Sequence, residues 1–229
     1  MSLSEPRDKE LPAFLTLLVT IIAGVMLVPL LVPDASHLVV GRALSVAILL
    51  TALWAAGVRP IRLLFFVPLA LAYFVAHHMG GPTAVTVALS LRAVFFGSTT
   101  VLIVLHTLRA RKVTGDTIAG AACAYALTAV TWANLYEILE LLRPGSFQIP
   151  SNWLLQPSAD PSFALQYFSF ITLTTVGYGD IVPLNPRAGG LCIAEAVLGQ
   201  LYVAIMIARL VALQLVQELA REGSDRQIL

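Results

Sequence analysis

Residues 174 to 180 read Thr174, Thr175, Val176, Gly177, Tyr178, Gly179, Asp180. Only Asp180 is charged, so any chemistry along this string must come from the main chain. In an extended run of L-residues, successive carbonyls alternate in direction. Gly177 and Gly179 can adopt positive φ without steric cost, and so can turn successive carbonyls toward one side. A row of aligned carbonyl oxygens is a ligand set for a cation that has shed its water. Two further residues stand out downstream. Glu195 is a carboxyl group inside an apolar run, where an acidic side chain is costly and functional by default. Gly199 lies four residues on, sharing its helical face. Cys123 and Cys192 sit in apolar runs as small buried hydrophobes, and neither a disulfide nor an oxidising compartment is expected. No Walker loop, zinc-ligand pair or nucleophile constellation is present, and no enzyme is expected.

The elements that must hold this string are membrane helices. Of the 229 residues, 58% are hydrophobic and 12% charged, whereas soluble domains carry roughly a quarter charged residues. A net charge of +1 gives no reason to expect nucleic acid as a partner. A bilayer core of about 30 Å needs about 20 apolar residues in helical form. Six segments meet that need: Leu11 to Val32, Leu38 to Val58, Ile61 to Met79, Thr83 to Leu108, Thr117 to Leu142 and Arg187 to Val216. The first follows a head of mixed charge and has no small-residue cleavage site after it, so a membrane span and not a signal peptide is expected. Between the last two, Arg143 to Pro186 holds six prolines and an apolar piece, Phe163 to Leu173, too short to cross. A short helix that enters the membrane and returns is expected there.

The expected fold is therefore all-α, with six transmembrane helices and a re-entrant helix and loop between the fifth and sixth. Residues 1–112 form a four-helix N-terminal region, 113–217 the domain around the glycine string, and 218–229 a short cytoplasmic tail. Arg59, Arg62, Arg109, Arg111 and Lys112 occupy two turns, while the turn from His77 to Gly81 has no Lys or Arg. By the positive-inside rule both termini are cytoplasmic and the re-entrant segment enters from outside. Arg42, near the outer end of the second segment, can snorkel.

Thr175 to Asp180 resembles the signature of the potassium-channel family, and the resemblance extends over about Asn152 to Val216. It implies that backbone carbonyls of Thr175, Val176, Gly177 and Tyr178, with the Thr175 hydroxyl, replace the water of a potassium ion. In these terms Thr175 to Gly179 is the selectivity filter and Asp180 a carboxylate at the outer mouth. Tyr178 can turn its ring outward as a brace, and Gly199 falls where such channels often carry a hinge. One chain supplies one loop and a ring of carbonyls needs four, so a homotetramer is implied. The permeant ion is K+, no cofactor is implied, and membrane lipid is the other partner. Two departures stand out. Tyr167 and Phe168 replace a tryptophan pair common in the family, and Ile171 replaces a glutamate that in some bacterial members bonds the outer aspartate. Glu195 is then a candidate to support the filter from behind, through Ser169, Thr172 or Thr174.

A voltage sensor is not expected. The fourth segment has Arg92 and then nothing basic before Arg109, and the first three cores hold no acidic partner. One charge per subunit in four subunits is worth at most roughly 9 kcal/mol per 100 mV. Arg92 is expected to pair, to snorkel or to sit at an interface. Glu137 and Glu140, one turn apart, are expected to pair with Arg143 or to concentrate cations at the mouth. His77 and His78 read as plain loop. The tail is too short for a nucleotide- or calcium-binding domain, so control would come from a separate regulatory protein, lipid or the membrane itself. The minimal loops point to a bacterial inner membrane. Two competing functions are an uptake transporter with a channel-like pore and a non-conducting sensor or scaffold that retains a filter.

Overall fold

The computed structural model describes residues 13–27, 47–48, 51, 72, 81–110, 112–151 and 161–228. The expected second and third segments lie almost wholly outside the described residues, as do residues 28–32 of the first. Helix α1 (Ala13–Ile22) continues into one π-helical turn, Ala23–Leu27. Two 28-residue helices follow, α2 (Pro82–Arg109) and α3 (Gly115–Leu142). Then come strand β1 (Phe147–Gln148), the short helix α4 (Pro161–Leu173), strand β2 (Val182–Pro183) and α5 (Pro186–Ile228).

The ends of these helices follow from local chemistry. Pro82 opens α2 with a fixed φ and no donor to waste, and His106 and Arg109 meet the negative end of its dipole. The side chain of Thr114 caps α3 by accepting from the Thr117 amide at 3.2 Å. Asp116, in the first turn of α3, also accepts from the Phe14 amide at 3.1 Å. One carboxylate thus serves the N-terminal turns of two helices. Asn185 caps α5, its Oδ1 accepting from the amides of Arg187 and Ala188.

Among the described residues, three helices are long and apolar enough to cross a membrane: Thr83–Arg109, Gly115–Leu142 and Pro186–Leu219. The described chain is mostly helical, and its only strands are β1 and β2, an antiparallel pair with Phe147 opposite Pro183 and Gln148 opposite Val182. Helix α5 outruns the expected span, remaining helical to Ile228 through what the sequence suggests is a tail. Polarity marks where apolar residues stop, and a helix can continue past that point into water.

Two apolar clusters hold the helices together. Phe14, Leu17 and Ile21 of α1 pack with Phe95, Phe96 and Ile103 of α2 and with Cys123, Ala124 and Leu127 of α3. Small residues make this approach possible. A Cβ on Gly120 would lie 3.3 Å from the Phe14 ring and from the Thr107 hydroxyl. The second cluster joins Tyr136 of α3, Phe147 of β1, Leu165, Phe168 and Ile171 of α4, and Ile181. Helix α5 is different, for Ile193, Val197, Leu198, Leu201, Ile205, Val211 and Leu215 are all exposed. An apolar stripe this long needs lipid or other subunits to cover it.

Candidate ion-conduction site

Helix α4 carries no charged side chain and points its C-terminus at the glycine string. Its last carbonyls turn straight into that string. Phe170 O accepts from the Thr174 amide at 3.0 Å, and Thr172 O from the Thr175 amide at 3.0 Å. Ile171 O accepts from both Val176 and Gly177, at 2.9 and 3.1 Å. The first half of the string is therefore folded back over the helix end.

Beyond it the backbone alternates. Gly177 has φ 51° and Gly179 has φ 78°, while Val176 and Tyr178 are not left-handed. Thr175, at φ 61°, is the only described non-glycine residue with positive φ. Left-handed geometry at every second residue cancels the usual alternation of carbonyls in a strand. The sequence signals such freedom only where glycine stands, so Thr175 was not readable from residue type. A non-glycine residue in this region is strained and persists only where its surroundings over-determine it.

The string is walled on its own chain by named side chains. The Tyr167 hydroxyl donates to Asp180 Oδ2 at 2.9 Å, and the Ile181 amide donates to Asp180 Oδ1 at 3.0 Å. The side chain that contacts Asp180 is thus Tyr167, one residue of the Tyr167–Phe168 pair noted above. Phe168, the other, forms a triangle of rings with Tyr136 and Phe147, with centroids 5.2 to 5.6 Å apart. That triangle fastens α4 to α3 and to β1. The β1–β2 pair and the bond from the Leu184 amide to Ser146 O, at 2.8 Å, fix the chain where it leaves the string. Val176 and Tyr178 are 51% and 71% exposed in the single chain.

Glu195 is fully buried where α3, α4 and α5 meet. It accepts hydrogen bonds from the Tyr136 hydroxyl of α3 and the Ser169 hydroxyl of α4. Of the three hydroxyls expected to face it, Ser169 does so, and Thr174 instead donates to Phe170 O at 2.7 Å. The sequence gives no sign of Tyr136, since nothing in the periodicity of α3 selects one phenol 59 positions away. Gly199 packs on the end of α4. A Cβ there would lie 2.9 Å from Leu173 O and 2.7 Å from Leu173 Cδ1, while α5 runs unbroken through this position.

Two charged residues expected nearby have other partners. Arg92 bonds Asn134 and lies 2.5 Å from Glu137, with side-chain exposures of 20% and 21% for the ion pair. The pair between Glu137 and Arg143 is therefore replaced by one between helices α2 and α3. Glu140 accepts from the backbone amides of Gly145 and Phe147, at 2.7 and 3.1 Å, and so shapes the turn after α3. Below the string, the Arg209 guanidinium of α5 donates to Leu108 O and Ala110 O, at the C-terminus of α2.

With this geometry in view, residues 161–214 match a family model described as an ion channel. The match supports an ion channel. It spans α4, the glycine string, β2 and most of α5, and it points to a channel protein that is not an enzyme. Together with the three apolar helices it marks a membrane protein with ion transport as its business. No curated protein and no solved structure matches the chain.

Proposed function

We propose that the protein is a potassium-selective channel that conducts K+ passively as a homotetramer. The observation that carries this is the left-handed backbone at Thr175, Gly177 and Gly179, directly beyond the C-terminus of a buried short helix. Carbonyls of Thr175, Val176, Gly177 and Tyr178, with the Thr175 hydroxyl, are the ligands for a dehydrated ion, and Thr175 to Gly179 is the filter. Four copies around an axis close each ring of oxygens. They also cover the exposed Val176 and Tyr178 and part of the bare apolar stripe of α5. Helix α4 aims the negative end of its dipole at the ion, and Asp180 sets a carboxylate at the outer mouth. Glu195, tied to Ser169, supports the filter from behind. The close packing of Gly199 on Leu173 favours a contact role there, with a hinge as the alternative.

Arg109 and Lys112, with Arg111 in the sequence, make the face at the start of α3 cytoplasmic. The plasma membrane, in a bacterium the inner one, is the proposed location. With Arg92 held by Glu137, conduction is at most weakly voltage-dependent.

Rubidium uptake into vesicles reconstituted with the purified protein tests the proposal. Wild type is expected to take up rubidium and to exclude sodium. Gly177→Ala forces a side chain onto a left-handed residue and should abolish uptake while the tetramer stays assembled. Normal uptake by that variant would overturn the filter assignment. Absence of uptake by wild type would favour the non-conducting scaffold.

A further inference from the structure

Every α-helix ends with carbonyls that its own turns cannot satisfy. In α4 the residues from Phe170 to Thr172 pass theirs to the filter, to the amides of Thr174, Thr175, Val176 and Gly177. Leu173 O is served from outside, by the Tyr125 hydroxyl of α3 at 2.8 Å. The carbonyl immediately before Thr174 and Thr175 is therefore fixed by a side chain 48 positions away.

The phenol is itself held in place. The Tyr125 ring stacks on Tyr202 of α5, with centroids 5.6 Å apart and planes at 27°. The Tyr202 hydroxyl donates back to Ala121 O of α3 at 2.7 Å. Gly199, one turn before Tyr202, closes on the same Leu173 carbonyl from the side of α5. The base of the filter is thus gripped between two helices, and one polar contact sets its peptide plane. Two residues later comes Thr175, whose left-handed backbone survives only where its neighbours leave no alternative.

We propose that Tyr125 is a positioning residue of the filter: its hydroxyl, aimed by the Tyr202 stack, fixes the last carbonyl of α4 and with it the turn at Thr175. The role rests on the conduction proposed above. It also links the base of the filter to α5, because displacing Tyr202 removes the surface that orients the phenol.

The test compares wild type, Tyr125→Phe and Tyr202→Phe in reconstituted vesicles and in single-channel recordings. Tyr125→Phe keeps the ring stack but leaves a buried carbonyl unpaired, so rubidium-over-sodium discrimination should fall roughly tenfold, with shorter openings. Tyr202→Phe keeps the ring stack and loses only its bond to Ala121, so its loss of discrimination should be smaller than that of Tyr125→Phe; an equal or larger loss would overturn the role. A Tyr125→Phe channel with wild-type discrimination and open times would overturn the role, even if its thermal stability fell. Failure of wild type to conduct would overturn conduction itself, and this role with it. Should Tyr125→Phe not assemble, 3,5-difluorotyrosine at position 125 keeps the shape and strengthens the donor. Longer openings are then expected, and unchanged openings overturn the role.

Discussion

Glu195 meets Tyr136 and Ser169 at the junction of three helices, so replacing it tests what a buried carboxyl group does there. Glu195→Gln preserves shape and an acceptor oxygen, and is expected to conduct nearly as wild type. Glu195→Val leaves two hydroxyls without that acceptor, at a cost of about 1–3 kcal/mol. Because Ser169 lies on α4, that loss should appear as shorter openings or weaker selectivity in single-channel recordings. A change confined to block by internal cations would place the side chain on the ion path instead. Much at this scale was legible from residue type. An acidic side chain in an apolar run demands a polar partner, and alternating glycines demand an unusual backbone. The identity of the partners was not legible. Tyr136 and Tyr125 are ordinary amphipathic residues in apolar helices, and only the packing of α3 against α4 and α5 gives them their targets. Thr175 was hidden for a different reason, because its strain is imposed by neighbours and is not permitted by its own side chain.

Between elements, the ion pair of Arg92 with Glu137 ties α2 to α3 at a depth where an unpaired charge is expensive. Arg92→Gln leaves Glu137 and Asn134 without their cationic partner, and should lower the thermal stability of the purified protein by on the order of 2 kcal/mol. Replacing both, Arg92→Gln with Glu137→Gln, should restore part of that loss. The slope of conductance against voltage should stay shallow in all three proteins, and a steep wild-type slope that flattens in Arg92→Gln would show that this arginine moves in the field. The sequence presents Arg92 as an anomaly and offers Arg143 as the natural neighbour of Glu137. Proximity in sequence misleads here, because residues on adjacent antiparallel helices meet at separations set by the turn between them. Helix limits fared better. Those of α2, α3 and α4 lie within two residues of the apolar segments that mark them, because hydropathy and the flanking Gly, Pro and Thr act locally.

At the scale of the molecule, α1, α2 and α3 bury one another, whereas many apolar side chains of α5 remain exposed among the described residues. That stripe is left for lipid, or for the subunits proposed above, to cover. Composition could announce a membrane protein but not this asymmetry, which depends on which faces α3 and α4 occupy. Two ties made far apart in sequence have a consequence for sidedness. Asp116 binds the start of α1 to the start of α3, and Arg209 binds the second half of α5 to the end of α2. Phe14 also packs on His106, with ring centroids 5.4 Å apart. If these ties hold in the membrane, the beginning of the first described helix and the later part of the last one should open onto the same solution. A reagent that cannot cross the bilayer, added to sealed vesicles of uniform orientation, should reach single cysteines placed at Leu15 and at Gln214 together or not at all. Labelling of one without the other would mean that these ties do not hold in the membrane.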